Sequence, residues 1–452
     1  MLSTHLPQLN EEQAQAVRAI TAGGHGLDVV TALAGTGKTT TVGALAAAYQ
    51  QDGWRVIGAA PTARAARELR ELAGIEADTI HSLLMAVRRD RGLDARTVLV
   101  LDEAGMAPTR DSAALLALAE RAGAKVIAIG DPGQLTAVEA GGWLAAIART
   151  QPGPALREVV RQVDPAERHA LEALHDGDPS AYLAHKHDEI SVHATELGAL
   201  LEVRDSWHLA QQQFGGRGAA MIARDNLTRE RLNHAARDAL KRDGVLAEVG
   251  VHIGGREYSP GDRVVARRND RPKNLDNGST GTVLAVDRER FSIIVQTDTG
   301  QTSLLEHDYV AGHIEHAYAL TAHAAQGATV TWAAVVGRPH DFTREWAYTA
   351  LSRAREQTQI HVISEPTALD REREQYAPPQ AALEPAQTLT SLERAMRRSE
   401  TEPLALEHKA PDTDAPRPTE PNDEQTYTPP QLAGLPGLRR AGLTHRSSRL
   451  RL

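Results

Sequence analysis

One stretch limits the possible folds more than any other: LDVVTALAGTGKTTTVGALAAAY, residues 27–49. A short β-branched apolar run reads as a buried strand. A small-residue loop follows (Ala34, Gly35, Thr36, Gly37), and Lys38, Thr39 and Thr40 open an Ala/Leu-rich helix. Strand, tight loop and helix start are the parts of a P-loop. Its backbone N–H groups and the positive end of the helix dipole wrap a polyphosphate, here expected to be that of ATP. Lys38 adds a point charge for the β/γ-phosphates, and the Thr39 hydroxyl suits Mg²⁺. Ala32 stands where the motif has its first glycine, but the two glycines that must turn tightly, Gly35 and Gly37, are in place.

A second acid-bearing strand completes such a site. Thr97–Leu101 is an apolar run that delivers Asp102 and Glu103. Asp102 is expected to hold Mg²⁺, directly or through water, and Glu103 to polarise the attacking water. The strand over Lys125–Ile129 ends at GDPGQL, which places Gln134 at a strand end to sense a γ-phosphate. Four strand–helix units make the first half a parallel α/β domain. Ahead of it, residues 9–22 read as an amphipathic helix capped by Asn10. Gln13 falls on the exposed side of that pattern. It is either an ordinary surface glutamine or an amide that reads the edge of adenine. The strand around Val56 ends at Thr62 and Arg64, where open α/β sheets place their ligands; the plain alternative is a helix cap and a solvated arginine. His81 sits at the start of another short helix.

Beyond Pro152 and Pro154 the chain predicts a second α/β unit. Arg161 and Gln162 lie near a helix end, residues 166–212 are mainly helical, and a strand over Ala219–Ala223 leads into a further helix. From about residue 253 short β-branched runs alternate with Gly-Asp, Asn-Gly and Thr-Gly turns, the pattern of a small antiparallel barrel. The α/β pattern resumes with AYALTAHAAQGATV. The barrel is therefore an insertion. After Ser364 the composition turns to Pro, Glu, Asp, Gln and Thr, and residues 365–452 are expected to be mostly disordered. One short helix is possible over Ser391–Ser399, capped by Thr390 and Glu393. Residues 402–424 are acidic. The last dozen are basic (Arg439, Arg440, Arg446, Arg449, Arg451), either a solvated tail or a contact for DNA or a partner.

Composition narrows the class. No cysteine is present among 452 residues, which excludes disulfides and thiolate metal sites and fits a reducing cytoplasm. No stretch is apolar for long enough to span a bilayer, and the first residues have no leader pattern, so no membrane partner is expected. The net charge of −9 argues against a chain that coats nucleic acid non-specifically, but not against a local basic channel.

One P-loop is generic; the ordered set is not. LNEEQ, AGTGKTT, APTARAA, TIHSLL, VLDEAGM, GDPGQL, LREVVRQ, LTAHAAQGAT and YTALSRAR follow one another over residues 8–364. In this order they resemble the superfamily 1B helicases of the RecD type, in particular the motor half of the conjugative relaxase–helicases. The resemblance implies two RecA-like domains over 1–150 and over 151–252 with 313–364, and an inserted SH3-like barrel over 253–312. It implies ATP and Mg²⁺ as cofactors, 5′ to 3′ movement on single-stranded DNA, and work in conjugation or DNA processing beside a possible separate relaxase. By the same resemblance Gln13 reads adenine, Gln134 couples the γ-phosphate to DNA, and Arg161 and Arg353 act as arginine fingers. Thr62, Arg64, His81, Thr321, His323 and Gln326 line the strand channel.

The sequence departs from that family in three places. Ala324 and Ala325 stand where relatives often carry Lys and Ser. The span between His81 and Thr97 is too short for the duplex-splitting pin hairpin, so translocation without efficient unwinding is expected. No histidine metal site with a tyrosine nucleophile precedes the motor, so DNA nicking is not expected. His185-Lys186-His187 reads as a solvated pair. Two rival classes stay open. One is an RNA helicase of the same superfamily. The other is a non-motor module that binds single strands or recruits partners. A P-loop switch without nucleic acid is weaker, because it leaves the second-half motifs without a job.

Overall fold

The computed structural model describes residues 9–87, 92–137, 141–273, 275–364 and 384–401. The first sheet is built from β1 (Leu27–Ala32), β2 (Arg55–Ala60), β3 (Glu76–Thr79), β4 (Thr97–Leu101), β5 (Lys125–Gly130) and β6 (Ala155–Leu156). All pair in parallel in the order β3-β2-β4-β5-β1-β6. Around it lie α1 (Glu11–Ala22), α2 (Lys38–Gln51), α3 (Ala63–Leu72), α4 (Ile80–Val87), α5 (Thr109–Ala122) and α6 (Trp143–Thr150). β4 and β5 are buried along their whole length, as central strands of a parallel sheet covered on both faces should be. The strands the sequence did not reveal are β3 and β6. β3 (EADT) is a polar edge strand without an apolar run, and β6 is two residues long.

A second parallel sheet has the order β16-β8-β17-β18-β7. Its elements are α7 (Pro165–Asp176), α8 (Pro179–His185), β7 (Ile190–His193), α9 (Glu196–Phe214), β8 (Ala219–Ala223) and α10 (Asn226–Arg242). After an antiparallel excursion the chain returns as β16 (Ala319–Thr321), α12 (Ala322–Ala325), β17 (Val330–Gly337), α13 (Arg344–Leu351) and β18 (Ala354–Ile363). The excursion holds a hairpin, β9 (Val251–Ile253) with β10 (Arg256–Tyr258). It continues with β11 (Arg263–Ala266), β12 (Thr280–Asp287), β13 (Ser292–Thr297), β14 (Thr302–Leu305), α11 (His307–His313) and β15 (Ile314–His316). These form an antiparallel sheet in the order β14-β13-β12-β11-β15. Buried ion pairs tie it to α10: Arg237 Nε lies 3.0 Å from both Asp262 oxygens and its Nη1 2.8 Å from Glu257. The excursion thus runs over 251–316, slightly wider than expected.

Four local expectations are corrected. β7 interrupts the stretch expected to be mainly helical. Arg161 and Gln162 lie in an irregular segment just ahead of α7, with no helix running into them; Val160 N–H donates to Gly35 O at 2.9 Å and Val163 N–H to Arg355 O at 3.0 Å. Of the histidine pair expected to be solvated only His187 is exposed; His185 is half-buried with Nε2 3.0 Å from Glu167, which also takes the buried Lys186 ammonium at 2.8 Å. The late helix, α14 (Pro385–Met396), starts six residues earlier than expected, behind Glu384 with proline in its first turn. Its Thr390 hydroxyl donates to Ala386 O inside the helix instead of capping it. Leu392 and Met396 join the main core beside Phe342 and Trp346, so residues 384–401 belong to the folded body. The acidic and basic tail segments, and residues 88–91 of the short pin span, lie outside the described residues. Among the described ones, no helix is long and apolar enough to cross a membrane.

Candidate functional site: a phosphate cleft and a strand-end channel

The P-loop turns on left-handed glycines: φ is +85° at Gly35 and +76° at Gly37. Neither place admits a side chain, because a Cβ would meet Arg161 Cβ or Gln13 Nε2 at 2.5 Å. Ala32 is still in the strand, paired with Leu156 and buried, so an alanine costs little there. Gln13 corrects the sequence reading. It is 5 % exposed. Its Nε2 donates to Thr36 O at 2.9 Å, and its Oε1 accepts from the Asn10 N–H at 3.1 Å. The helix pattern put it outside, but the P-loop covers that side. Thr36 is buried and ties back to Leu33 O at 2.9 Å, whereas Thr39 and Thr40 are half-buried in the first turn of α2.

Charge is concentrated behind this loop. Lys38 Nζ lies 3.4 Å from both Glu103 oxygens. Burial pulls its pKa down, but the Glu103, Asp102 and Asp131 carboxylates outweigh that and hold it above the ordinary value. Burial, then the neighbouring Glu103 charge, push Asp102 up to about 7. Asp102 Oδ1 accepts the Glu103 N–H at 2.9 Å. Glu103 itself holds φ at +48°, a strained conformation for a side chain other than glycine, and it aims the carboxylate along the Lys38 side.

The second sheet closes the cleft. Arg353 is 2 % exposed and donates to Ser352 Oγ at 2.7 Å. Arg161 donates to Ser352 O at 3.0 Å. Burial first, then Arg161, pull the Arg353 pKa down to about 9; burial likewise lowers Arg161. Two desolvated guanidiniums that repel each other stand opposite the P-loop. Arg353 Nε and Gln134 Oε1 are buried and have no hydrogen-bond partner among the described residues. Such orphaned polar atoms fit a polyphosphate and water between the sheets.

Two contacts that the sequence did not disclose join the halves. The Ala34 N–H of the P-loop donates to Tyr348 Oη at 3.0 Å. Asp131 takes Gln134 Nε2 at 2.9 Å through one oxygen and His175 Nε2 at 3.2 Å through the other. Burial alone would raise the Asp131 pKa, but those hydrogen bonds and the His175 and Lys38 charges hold it below the ordinary value. Tyr348 and Asp131 do lie within quoted motifs; His175 carries no local signal.

The expected strand-binding residues gather elsewhere, at the carboxyl ends of strands of both parallel sheets. A cavity of about 360 Å³ is lined by Thr62, Arg64 and His81 from the first and His323, Ala324 and Gln326 from the second. Arg267, Asn269, Asn277 and Thr280 of the antiparallel sheet complete it, and no motif pointed to them. Thr321 lines an adjoining cavity of about 340 Å³ with Asn226, Arg229 and Arg267. Thr62 and Thr321 also cap α3 and α12, accepting the N–H of Ala65 at 3.2 Å and of Ala324 at 3.4 Å. Arg64 is paired with Glu68 at 3.2 Å. Gln326 is buried, and its Oε1 has no partner among the described residues. Apart from both places, His193, Glu202 and His361 lie close together. The two rings hydrogen-bond at 3.2 Å, and burial holds both pKa values low, His361 at about 3.

A P-loop on one parallel sheet, faced by the buried Arg353 beside a second and the half-buried Arg161 between them, defines a nucleoside-triphosphate-binding protein of the two-sheet P-loop class. The comparisons narrow this. The family profile described as an AAA domain matches residues 8–197. The conjugal transfer protein TraA of Agrobacterium fabrum is 31% identical over 361 residues, covering 78% of this chain and 32% of that protein. The ATP-dependent RecD2 DNA helicase of Deinococcus radiodurans is 33% identical over 77% of this chain and 48% of its own length. The RecBCD subunit RecD of Mycobacterium tuberculosis is 30% identical over 74% and 66%. Among solved structures, the Bacteroides Pif1 helicase in complex with ADP-AlF3 and single-stranded DNA superposes with a TM-score of 0.53 at 21% identity, over 82% of this chain and 98% of that one. The chain is a RecD-like member of the superfamily 1 helicases, related to the conjugative TraA and TraI type, and it shares its fold with the Pif1 structure. It spans about a third of the length of the TraA relatives it matches.

Proposed function

We propose that this chain is an ATP- and Mg²⁺-dependent translocase on single-stranded DNA, moving 5′ to 3′, in plasmid transfer or another DNA-processing step. In this reading the two parallel sheets are RecA-like domains, over 1–150 and over 151–252 with 313–364. The antiparallel sheet is an inserted SH3-like barrel that closes over the strand. The observation that carries the reading is that cleft and channel are built on the same pair of sheets, which Ala34–Tyr348 and Asp131–His175 join directly.

Each residue has a role that its position allows. The amides of Gly35–Thr40 and Lys38 bind the phosphates, and Gln13 borders them through the P-loop. Thr39 and Asp102 are the residues that would hold Mg²⁺, which when bound neutralises phosphate charge. Glu103 orients and polarises the attacking water. Gln134 reports on the terminal phosphate through its free carbonyl. Arg161 and Arg353 stabilise the charge that grows on that phosphate, and their mutual repulsion returns once it leaves. That change in the balance of charge opens the cleft. Thr62, Arg64, His81, Thr321, His323 and Gln326 grip and release the backbone of the strand across both sheets.

A non-motor binding module is the second reading, favoured by one observation: Ala324 lines the channel where a cation would strengthen it. The test is ATP turnover of the full chain with no nucleic acid, with oligo-dT and with oligo-rU, beside Lys38→Ala. Stimulation by oligo-dT that the variant loses is the expected result. Flat turnover with DNA still bound would replace the motor by the binding module, and stimulation by RNA alone would change the substrate.

A further inference from the structure

Residues 384–401 end on the channel side of the second sheet. α14 is anchored through Leu392 and Met396 in the core. The chain after it is fastened to the first turn of α13. Arg344 N–H donates to Arg398 O at 2.9 Å, Ser399 Oγ to Glu345 Oε1 at 2.6 Å, and Glu400 N–H to Glu345 Oε2 at 3.0 Å. These bonds deliver the Glu400 carboxylate to Arg224, whose Nη2 lies 3.1 and 3.3 Å from its two oxygens.

Arg224 is well placed to meet a phosphate. It is the first residue beyond β8, and the last pair of that strand is Ala223 with Thr321 of β16. It therefore sits at the same strand ends as Thr321 and, two residues on, His323. The Trp346 ring supports its guanidinium at 5.8 Å. Arg224 and Glu400 are both close enough to act on His323: after burial, the Arg224 charge lowers its pKa and the Glu400 charge opposes this. Neither partner is buried; their side chains are 30% and 43% exposed, so a competing anion can reach the pair.

We infer that Glu400 stands in for a strand phosphate at Arg224, and that residues 398–400 are an autoinhibitory strap that nucleic acid must displace. The inference rests on the nucleic-acid reading of the channel and adds its regulation. A partly exposed carboxylate–guanidinium pair is weak enough to exchange for a phosphate, and a carboxylate held beside His323 repels the strand until it does.

The test is fluorescence anisotropy of labelled oligo-dT with the full chain, comparing the wild type, Glu400→Gln, Arg224→Ala and the double variant at low and high salt. Glu400→Gln should bind roughly two- to five-fold tighter at low salt, less so at high salt, and the gain should vanish in the Arg224→Ala background. Equal, measurable binding by the wild type and Glu400→Gln would overturn the strap alone. A gain that persists without Arg224 would overturn its placement. No binding by any of the four would overturn the nucleic-acid reading itself, and the strap with it.

Discussion

The proposed phosphate cleft and the proposed strand channel are both built on the two parallel sheets, yet in opposite ways. In the cleft Asp102, Asp131, Gln134 and Arg353 are each at most 5 % exposed, and every charge leans on another. In the channel Thr62 and Thr321 cap helices, Arg64 keeps a half-buried ion pair with Glu68, and the contacts are spread over three sheets. Hydrolysis needs fixed dipoles in a dry place, because charge must be met as it forms. Holding a strand that must also move needs many weak, replaceable contacts. Damage to the cleft should therefore be all-or-none, and damage to the channel graded.

The largest effect tests that contrast most harshly. Arg353→Ala should lower ATP turnover by about 10³-fold or more while oligo-dT binding in the absence of nucleotide changes little; steady-state hydrolysis and anisotropy check both halves. A loss of only a few-fold would move the arginine out of the cleft chemistry. Next comes pH. Asp102 is held at about 7 by burial and by Glu103. Below that pH it is protonated and cannot hold a cation, so Mg²⁺ affinity should fall by up to about tenfold per unit. The linkage has the matching sign: a folded pKa raised above the unfolded one contributes stability at acid pH that is lost as pH rises through about 7. Without Mg²⁺, Asp102→Asn should thus melt above the wild type at pH 8 and match it near pH 4.

Channel changes should be milder. Arg64→Ala should weaken single-stranded DNA binding several-fold whatever the bases and reduce the salt slope by about one. Thermal melting reads the smallest effect, in Tyr348→Phe. Its ring still packs, but the Ala34 amide loses its acceptor, a cost of about 1–3 kcal/mol. The loss should shrink once the cleft holds nucleotide if the hydroxyl acts only as a brace between the sheets.

The same contrast explains what the sequence disclosed. P-loop, strand acids and Gln134 were legible because their chemistry is local: a glycine turn, a helix start and a strand end lie within a few residues of the groups they present. Gln13 was placed on the wrong side because helical periodicity records which face is apolar, not which face another loop will cover. The Ala34–Tyr348 contact spans 314 residues of chain, and no periodicity reports such a distance. Arg267, Asn269 and Asn277 carry no motif; they reach the channel with the antiparallel sheet, which Arg237–Asp262 and Arg229–Glu315 hold against α10. α14 was misplaced because a proline- and charge-rich setting hides its buried face, Thr388, Leu392, Ala395 and Met396.

If cleft and channel are two ends of one device, the nucleotide in the cleft must set the grip on the strand. The direct measurement is the affinity for labelled oligo-dT with ADP, with a non-hydrolysable ATP analogue and with neither, in the wild type and in Arg353→Ala. The account predicts affinities that differ between the nucleotide states in the wild type and converge in the variant, because Arg353 is the group that feels the terminal phosphate from the second sheet. Identical affinities in all states of the wild type, with both ligands bound, would contradict it.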